Sequence, residues 1–371
     1  MTKANIFIVG AGPVGLTAAL ELSRRGHCIR IIDKEADFTP VAQSRALGVN
    51  NRTLQLLKPS GVSDRLIGSG NKMSEIRLLN EKEECVLKFD FQNAGTFFPF
   101  MLVVPQGTTE RLLAEALRGY DVEVEHNTKL VEANDDPLNP SVAIAHPDGV
   151  ETVSPDFLIG ADGAGSKVRR EFGFTFDGEG YPGEFGLVDI EPAEPIDASI
   201  GVVRFLEKGM IGALPLSDRL VRYVSSRPDV SNVLPKDLNI KSVVWQSTFN
   251  VSFRHVKQMQ KGAVFLAGDA AHIHSPVGGR GMNLGIEDAC WLAWAIDEGR
   301  HSEYSSLRLP KVKKVIAQTR QQTDGLVKMN FATRFLRDHL AGKLLKIPMF
   351  KRAAIARIIG LDTDDPPWID D

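Results

Sequence analysis

The chain has 371 residues, 43% hydrophobic and 25% charged, with a formal net charge of −3. That is enough chain for two domains with buried cores, in the composition of an ordinary globular protein. The near-neutral balance gives no support for nucleic-acid binding, which would want a basic face, and no apolar run approaches the roughly 20 residues that cross a bilayer.

Cys28, Cys85 and Cys290 are widely spaced and form no CxxC pair, so they read as buried thiols of a reducing compartment. The apolar run over residues 6–16 is broken by three glycines and a proline and preceded only by Lys3. No signal peptide is read there, and a cytoplasmic location is expected.

Residues 5–9 are a short strand-like run. Gly10-Ala-Gly12-Pro13-Val14-Gly15 follows, then Leu16, Ala19, Leu20 and Leu22 at helical spacing, stopped by Gly26. Residues 29–32 are a second strand that ends on Asp33, which completes a βαβ unit. In such a unit Gly10 permits the tight turn, Gly12 lets the backbone approach a pyrophosphate, and Gly15 lets helix and strand pack closely. The helix N-terminus offers donors and a positive dipole to the phosphates. Asp33 can accept from a ribose hydroxyl. The turn by itself does not separate FAD from NAD(P).

Residues 44–70 read as loop and helix, with Leu54, Leu56, Leu57 and Leu66 as core candidates. Residues 72–104 alternate apolar and polar and read as antiparallel strands. Phe89, Phe91, Phe97, Phe98 and Phe100 concentrate there; they could wall a pocket for an aromatic substrate, but sheet core is the preferred reading for each. Leu112, Leu113, Ala116 and Leu117 predict a helix over 106–117, and 122–132 returns to strand. Residues 157–159 form a strand that ends in Gly160-Ala-Asp162-Gly163. That acidic turn reads equally as a cofactor contact or as a helix start capped by Asp162 or Ser166. Alternation resumes over 184–254, with turn signals at Pro192, Pro195, Pro215 and Pro228.

The densest signal is Gly268-Asp269 at the end of an apolar strand, then the glycine-rich loop Pro276 to Gly281, then a helix from near Met282. Asp269 can accept from a ribityl or ribose hydroxyl. Gly278, Gly279 and Gly281 leave room for a flat ring, and a helix N-terminus aimed at that ring would stabilise a reduced flavin's negative charge. His272 and His274 form an H-x-H pair, but no third ligand has suitable spacing, so they read as structural and no metal is expected. From residue 302 the chain is helical and basic. The segment 333–357 could lie on a membrane surface, but packing on the core is preferred.

Taken in this order, the three motifs resemble the single-component flavin-dependent aromatic hydroxylases, the group that includes p-hydroxybenzoate hydroxylase. The stretch from Gly268 to Asn283 is close to the phenol and aromatic-polyketide branch. The resemblance runs from about residue 4 to about 320. It also takes in Ser44-Arg45-Ala46, Asn51-Arg-Thr-Leu54, Pro105-Gln106, Arg254 and Tyr304…Arg308-x-Pro310.

It implies an α/β fold: a Rossmann-like FAD-binding domain of the glutathione-reductase type (1–71, 105–171, 257–301), interrupted by a β-rich substrate domain (72–104, 172–256) and followed by a helical segment (302–371). It implies FAD contacts from Gly10, Gly12, Pro13, Val14, Gly15, Asp33, Lys34, Arg45, Gln106, Leu130, Asp162, Gly163, Gly268, Asp269, Pro276, Gly278, Gly279, Arg280, Gly281, Met282 and Asn283. Arg45 would assist a transient NADPH or NADH, and Pro276 would lie near the flavin edge where oxygen reacts. The implied reaction is hydroxylation of a small aromatic substrate with O2, through a flavin C4a-hydroperoxide, by a monomer or homodimer.

Two departures stand out. Arg280 replaces the branch's usual Gln, which would put a positive charge where the ring lies, and no thioredoxin-like C-terminal domain is expected. Cys290-Trp-Leu-Ala-Trp-Ala-Ile does not match the Trp-x-Trp-x-Ile-Pro segment of flavin halogenases on this scaffold. A flavin-dependent reductase and a non-catalytic flavin-binding redox sensor are the remaining alternatives.

Overall fold

The computed structural model describes all residues except 1–2, 45, 93–95, 237, 329–347, 364 and 370–371. β1 (Asn5–Val9), α1 (Pro13–Arg24) and β2 (Cys28–Ile32) form the expected βαβ unit. Pro13 opens α1, where a missing N–H costs nothing. Gly26, at φ +86°, reverses the chain after it.

The unit belongs to a six-stranded sheet in which β12 (Phe157–Gly160) pairs in parallel with β1, and β19 (Val264–Leu266) with β12. On the other side β2 pairs with the short β8 (Val124–Glu125), while an antiparallel Gln260–Lys261 closes the far edge. These central strands are buried on both faces, which is why they read as unbroken apolar runs. α1 packs on α6 (Gly281–Asp297) and on α4 (Gln106–Arg118).

The strand expected over 122–132 is two strands. Asn127, at φ +54°, breaks it, and its N–H bonds back to Glu35 O. The second piece, β9 (Lys129–Ala133), joins β10 (Val142–His146) and β11 (Gly149–Val153) in a separate three-stranded sheet.

A larger eight-stranded sheet carries β5 (Glu75–Leu79), β6 (Cys85–Asp90), β13 (Asp177–Pro192), β14 (Ile200–Phe205), β15 (Met210–Ser217), β16 (Leu220–Ser225) and β17 (Ile240–His255), with His272–Ile273 at its edge. β5 enters it beside β14 in parallel. Pro192 closes β13, and Pro215 sits where β15 shifts register, the places a donorless residue tolerates. The short strands Asn71–Met73 and Met101–Val103 pair with each other and with Gly48–Val49 in a small sheet of their own.

Phe89 and Phe91 are sheet core, as preferred, and pack in one cluster with Leu47, Met73, Ile355 and Ile359. Phe97 is exposed under Lys58. After α7 (Tyr304–Val327), the described chain resumes at α8 (Pro348–Ile358). Most of the 333–357 segment therefore lies outside the described residues, and its described end turns Ile355 inward. Among the described residues no helix is long and apolar enough to cross a membrane. The cysteine reading needs correction, because Cys28 and Cys85 are exposed and only Cys290 is buried; the first two are the opening residues of their strands, where the side chain reaches solvent.

Candidate functional site

The parallel order β19–β12–β1–β2 brings four sequence-distant turns to one edge. At the carboxyl ends of these neighbours stand Asp269, Asp162, the Gly10–Gly15 turn and Asp33 respectively. In open α/β sheets ligands bind at this edge.

Each glycine of the first turn has a distinct surrounding. A Cβ on Gly10, whose φ is +103°, would stand 2.4 Å from Ala161 O, and one on Gly15 would stand 1.9 Å from Gly10 O. Both are fixed by packing. Gly12 has no atom within 4 Å of that position, so its bare backbone fronts open space where a phosphate can approach. Asp33 holds this turn in register: Ala11 N donates to its Oδ2 at 2.6 Å and Glu35 N to its Oδ1 at 2.9 Å. Lys34 is exposed beside Glu35.

Both readings of Asp162 are realised. Its Oδ2 accepts from Lys167 N and Val168 N, and Ser166 Oγ accepts from Arg169 N, so the pair caps the short helix Lys167–Glu171. Its Oδ1 is buried without a partner among the described residues. Burial pushes the carboxyl up despite the bonds from Ser166, Val168 and Lys167. A buried acceptor left open is expensive unless something donates to it. Gly163, beside it at φ +75°, meets no atom within 4 Å of a Cβ position.

Asp269 remains open to solvent although it is set deep in the protein, so it lies at the floor of a recess. Burial pushes its carboxyl up as well, against the lowering effect of His272. The turn that presents it is tight. Gly268 has φ +59°, and Cβ atoms on Gly268 and Gly285 would both collide with Val14. Beneath it lies a buried network. Asp288 accepts from Gly268 N at 3.2 Å, His272 Nε2 at 2.5 Å and Arg308 Nε at 2.8 Å, while Arg308 Nη1 donates to Glu287 at 2.6 Å. Tyr304 OH donates to Leu266 O.

His272 is therefore committed to Asp288. His274 Nδ1 pairs with Ser275 O at 2.8 Å, and burial pushes that imidazole down to about 4. Neither Asp288 nor Gly285 was singled out from the sequence, although Arg308 in Tyr304…Arg308-x-Pro310 was a partial signal.

The glycine loop turns back on itself through Gly279 N to Pro276 O, and Pro276 is exposed. Asn283 fastens the loop to the neighbouring elements. Its Nδ2 donates to Gly279 O and Gly48 O, and its Oδ1 accepts from Asn50 N and Thr53 Oγ1. Met282 packs on the core, and Gly281 is open. Arg280 does not carry its charge over the loop. Its Nη1 donates to Arg357 O at 2.7 Å and lies 2.8 Å from Asp362 Oδ1, because that buried carboxylate attracts it to the C-terminal segment.

The Gln106 side chain donates to Glu110, which also holds Thr39. Leu130 buries its side chain in the core on β9, two residues after Thr128, whose N–H donates to Asp33 O. Arg45 lies outside the described residues, but the preceding Ser44 carbonyl accepts from Arg222, which is buried against Asp189 and Trp245.

The open backbone at Gly12, Gly163, Gly279 and Gly281, the unpartnered Asp162 Oδ1 and the exposed floor at Asp269 together fit an extended dinucleotide ending in a flat ring. Comparison with known proteins agrees. Residues 3–319 match a family described as the FAD binding domain.

Among similar proteins is an aromatic compound monooxygenase of Bacillus subtilis (strain 168), 30% identical over 98% of this chain and 76% of that protein. The pentachlorophenol 4-monooxygenase of Sphingobium chlorophenolicum is 32% identical over 79% of this chain and 58% of its own length. The anhydrotetracycline hydroxylase structure from Streptomyces rimosus superposes with a TM-score of 0.79 at 29% identity, covering 98% of this chain and 77% of that one.

Proposed function

We propose, on the premise that this chain belongs to the FAD-binding-domain family and is a flavin-dependent monooxygenase, that it uses NAD(P)H and O2 to hydroxylate an aromatic ring, phenolic or polyketide-like. The observation that carries the reading is the alignment of Asp269, Asp162, the Gly10–Gly15 turn and Asp33 on one sheet edge. Bound FAD supplies the redox chemistry and the activation of oxygen; the chain supplies binding, orientation and exclusion of water.

In this reading Gly12 and the α1 N-terminus take the pyrophosphate, Asp33 the adenosine ribose and Asp269 the ribityl chain. Asp162 Oδ1 is the free acceptor for a cofactor hydroxyl or amide. Pro276, Gly278 and Gly279 border the ring. The α6 N-terminus directs its unpaired N–H groups and positive dipole toward it, which favours a reduced, anionic ring. Arg45 assists the nicotinamide cofactor. The eight-stranded sheet is read as the substrate side, tied to the Ser44–Arg45 loop by Arg222.

The test is direct. Purified protein is expected to bind FAD with a flavin absorption spectrum, and a small phenol should accelerate NAD(P)H oxidation with little H2O2 released. Colourless protein that takes up no FAD would overturn the flavin assignment. Flavin binding with no response to any phenol or polyketide would overturn the hydroxylase assignment.

A further inference from the structure

We infer that Arg280 is a positioning residue that couples the docked C-terminal segment, residues 355–363 and 365–368, to the flavin loop. The inference rests on the flavin reading above. The Arg280 side chain is only 7% exposed, and both its described partners, Arg357 O and Asp362, belong to that segment. Asp362 is equally enclosed. Among the described residues neither carboxylate oxygen takes a hydrogen bond, and the Arg280 guanidinium is the charge paired with the carboxylate in this enclosed position.

The rest of the segment lies along the elements that shape the loop. Gly360, at φ +80°, passes so close to Asn50 that a Cβ would stand 2.3 Å from its Nδ2. Asn50 in turn donates its N–H to Asn283. Lys314 Nζ donates to Asp362 O at 2.7 Å, and the buried Arg52 donates to Thr363 O and pairs with Asp365. Trp368 stacks on Trp294 and meets Trp291 edge-on, both on α6. The segment therefore meets α6 both at its loop end and in its C-terminal half.

On the loop side there is little else to hold. Among the described residues, only Gln322 Oε1 and the Arg280 side chain itself come within 4 Å of a Cβ position on Gly278, and none does at Gly279. Asn283 fixes the loop from inside through Gly279 O; Arg280 is the side chain that fixes it from the C-terminal segment. Gln at this position could still donate to Arg357 O, but it could not neutralise Asp362. The charged residue here and the buried acid in the segment form a pair whose charges compensate each other, which the bond to Arg357 O alone would not do.

The test combines R280Q, D362N, the double variant and the charge swap R280D/D362R. Three readouts are followed: FAD dissociation constant by flavin fluorescence, protease cleavage of the C-terminal segment, and tryptophan emission from the Trp291–Trp294–Trp368 group. Each single variant should weaken FAD binding about 10-fold and expose the segment to cleavage. The double variant should be no worse than either single, and the swap should recover both readouts. D362N leaves the loop sequence intact, so it tests the coupling even if R280Q does not fold. Release of the segment with FAD affinity unchanged would overturn the proposal, as would weakened FAD binding with the segment still protected. A wild-type protein that binds no FAD would instead overturn the reading beneath it.

Discussion

Replacing Asp288 by Asn is expected to cost about 3–5 kcal/mol of stability, read as a shift in the denaturation midpoint, because it removes the central anion from a buried charge network. Asp288 is fully buried, Arg308 is 1% exposed, and Glu287 and His272 complete the group. The Asn keeps the shape but has a single acceptor oxygen, so its Nδ2 must face a group that donates to Asp288, and the loss combines the charge with a mismatched hydrogen bond. Glu287→Gln should cost less, since it touches Arg308 alone and leaves Gly268 and His272 held by Asp288.

The pH dependence has a definite sign. Burial pushes the Asp288 carboxyl up, but His272 and Arg308 outweigh it and hold the group below the usual carboxylate range. A depressed carboxylate contributes stability that is present above its unfolded value, about 3.9, and is lost as pH falls through the folded value. The gap between wild type and Asp288→Asn should therefore be widest near neutral pH and shrink below about pH 4. A gap that is constant from pH 7 to pH 3 would show that Asp288 contributes shape and not charge. Because Asp288 also receives Gly268 N, the variant should bind FAD more weakly at temperatures where it remains folded.

What could be read in advance was local. The β1–α1–β2 unit follows from glycine spacing and a β-branched run, and α4 follows from Leu112, Leu113, Ala116 and Leu117, all within a few residues of one another. The β10–β11 hairpin also had a local signal, Pro147-Asp148-Gly149 between two alternating runs, which was overlooked.

What could not be read was set by partners far along the chain. Asp33, Asp162 and Asp269 each ended a strand in the sequence, but their presence on one edge depends on β12 sitting between β1 and β19. Asp189 and Arg222 look like solvent-facing charges on alternating strands. They become a buried pair only when β13 and β16 align them in register. Arg280 was expected over the ring because it stands in the glycine-loop motif where the branch usually has Gln; the carboxylate that claims its charge, Asp362, lies about 80 residues further along the chain.

Gly12 and Gly15 lie three residues apart in one motif, and Ala at each is expected to fail for opposite reasons. At Gly15 the new Cβ would stand 1.9 Å from Gly10 O and 3.3 Å from the Ala161 side chain. Backbone cannot move aside cheaply there, since Gly10 N is held by Ile32 O and Ala161 N by Val9 O. The cost should be about 3 kcal/mol or more, and the protein should fold poorly with or without FAD. At Gly12 no atom lies within 4 Å, and φ is −70°, which Ala adopts freely.

Gly12→Ala should therefore fold with wild-type stability in the absence of cofactor. Its methyl group would stand where the pyrophosphate must come close to the N–H groups of α1. Loss of one or two charge-assisted hydrogen bonds there should weaken FAD binding at least about 10-fold. The stabilisation that FAD confers on the wild type should shrink in proportion, since a ligand stabilises only as its binding allows. Measuring the thermal midpoint with and without FAD for both variants separates the two roles. If Gly12→Ala kept full FAD affinity, the pyrophosphate would not pass this turn, and the cofactor could not lie along the edge defined by Asp33, Asp162 and Asp269.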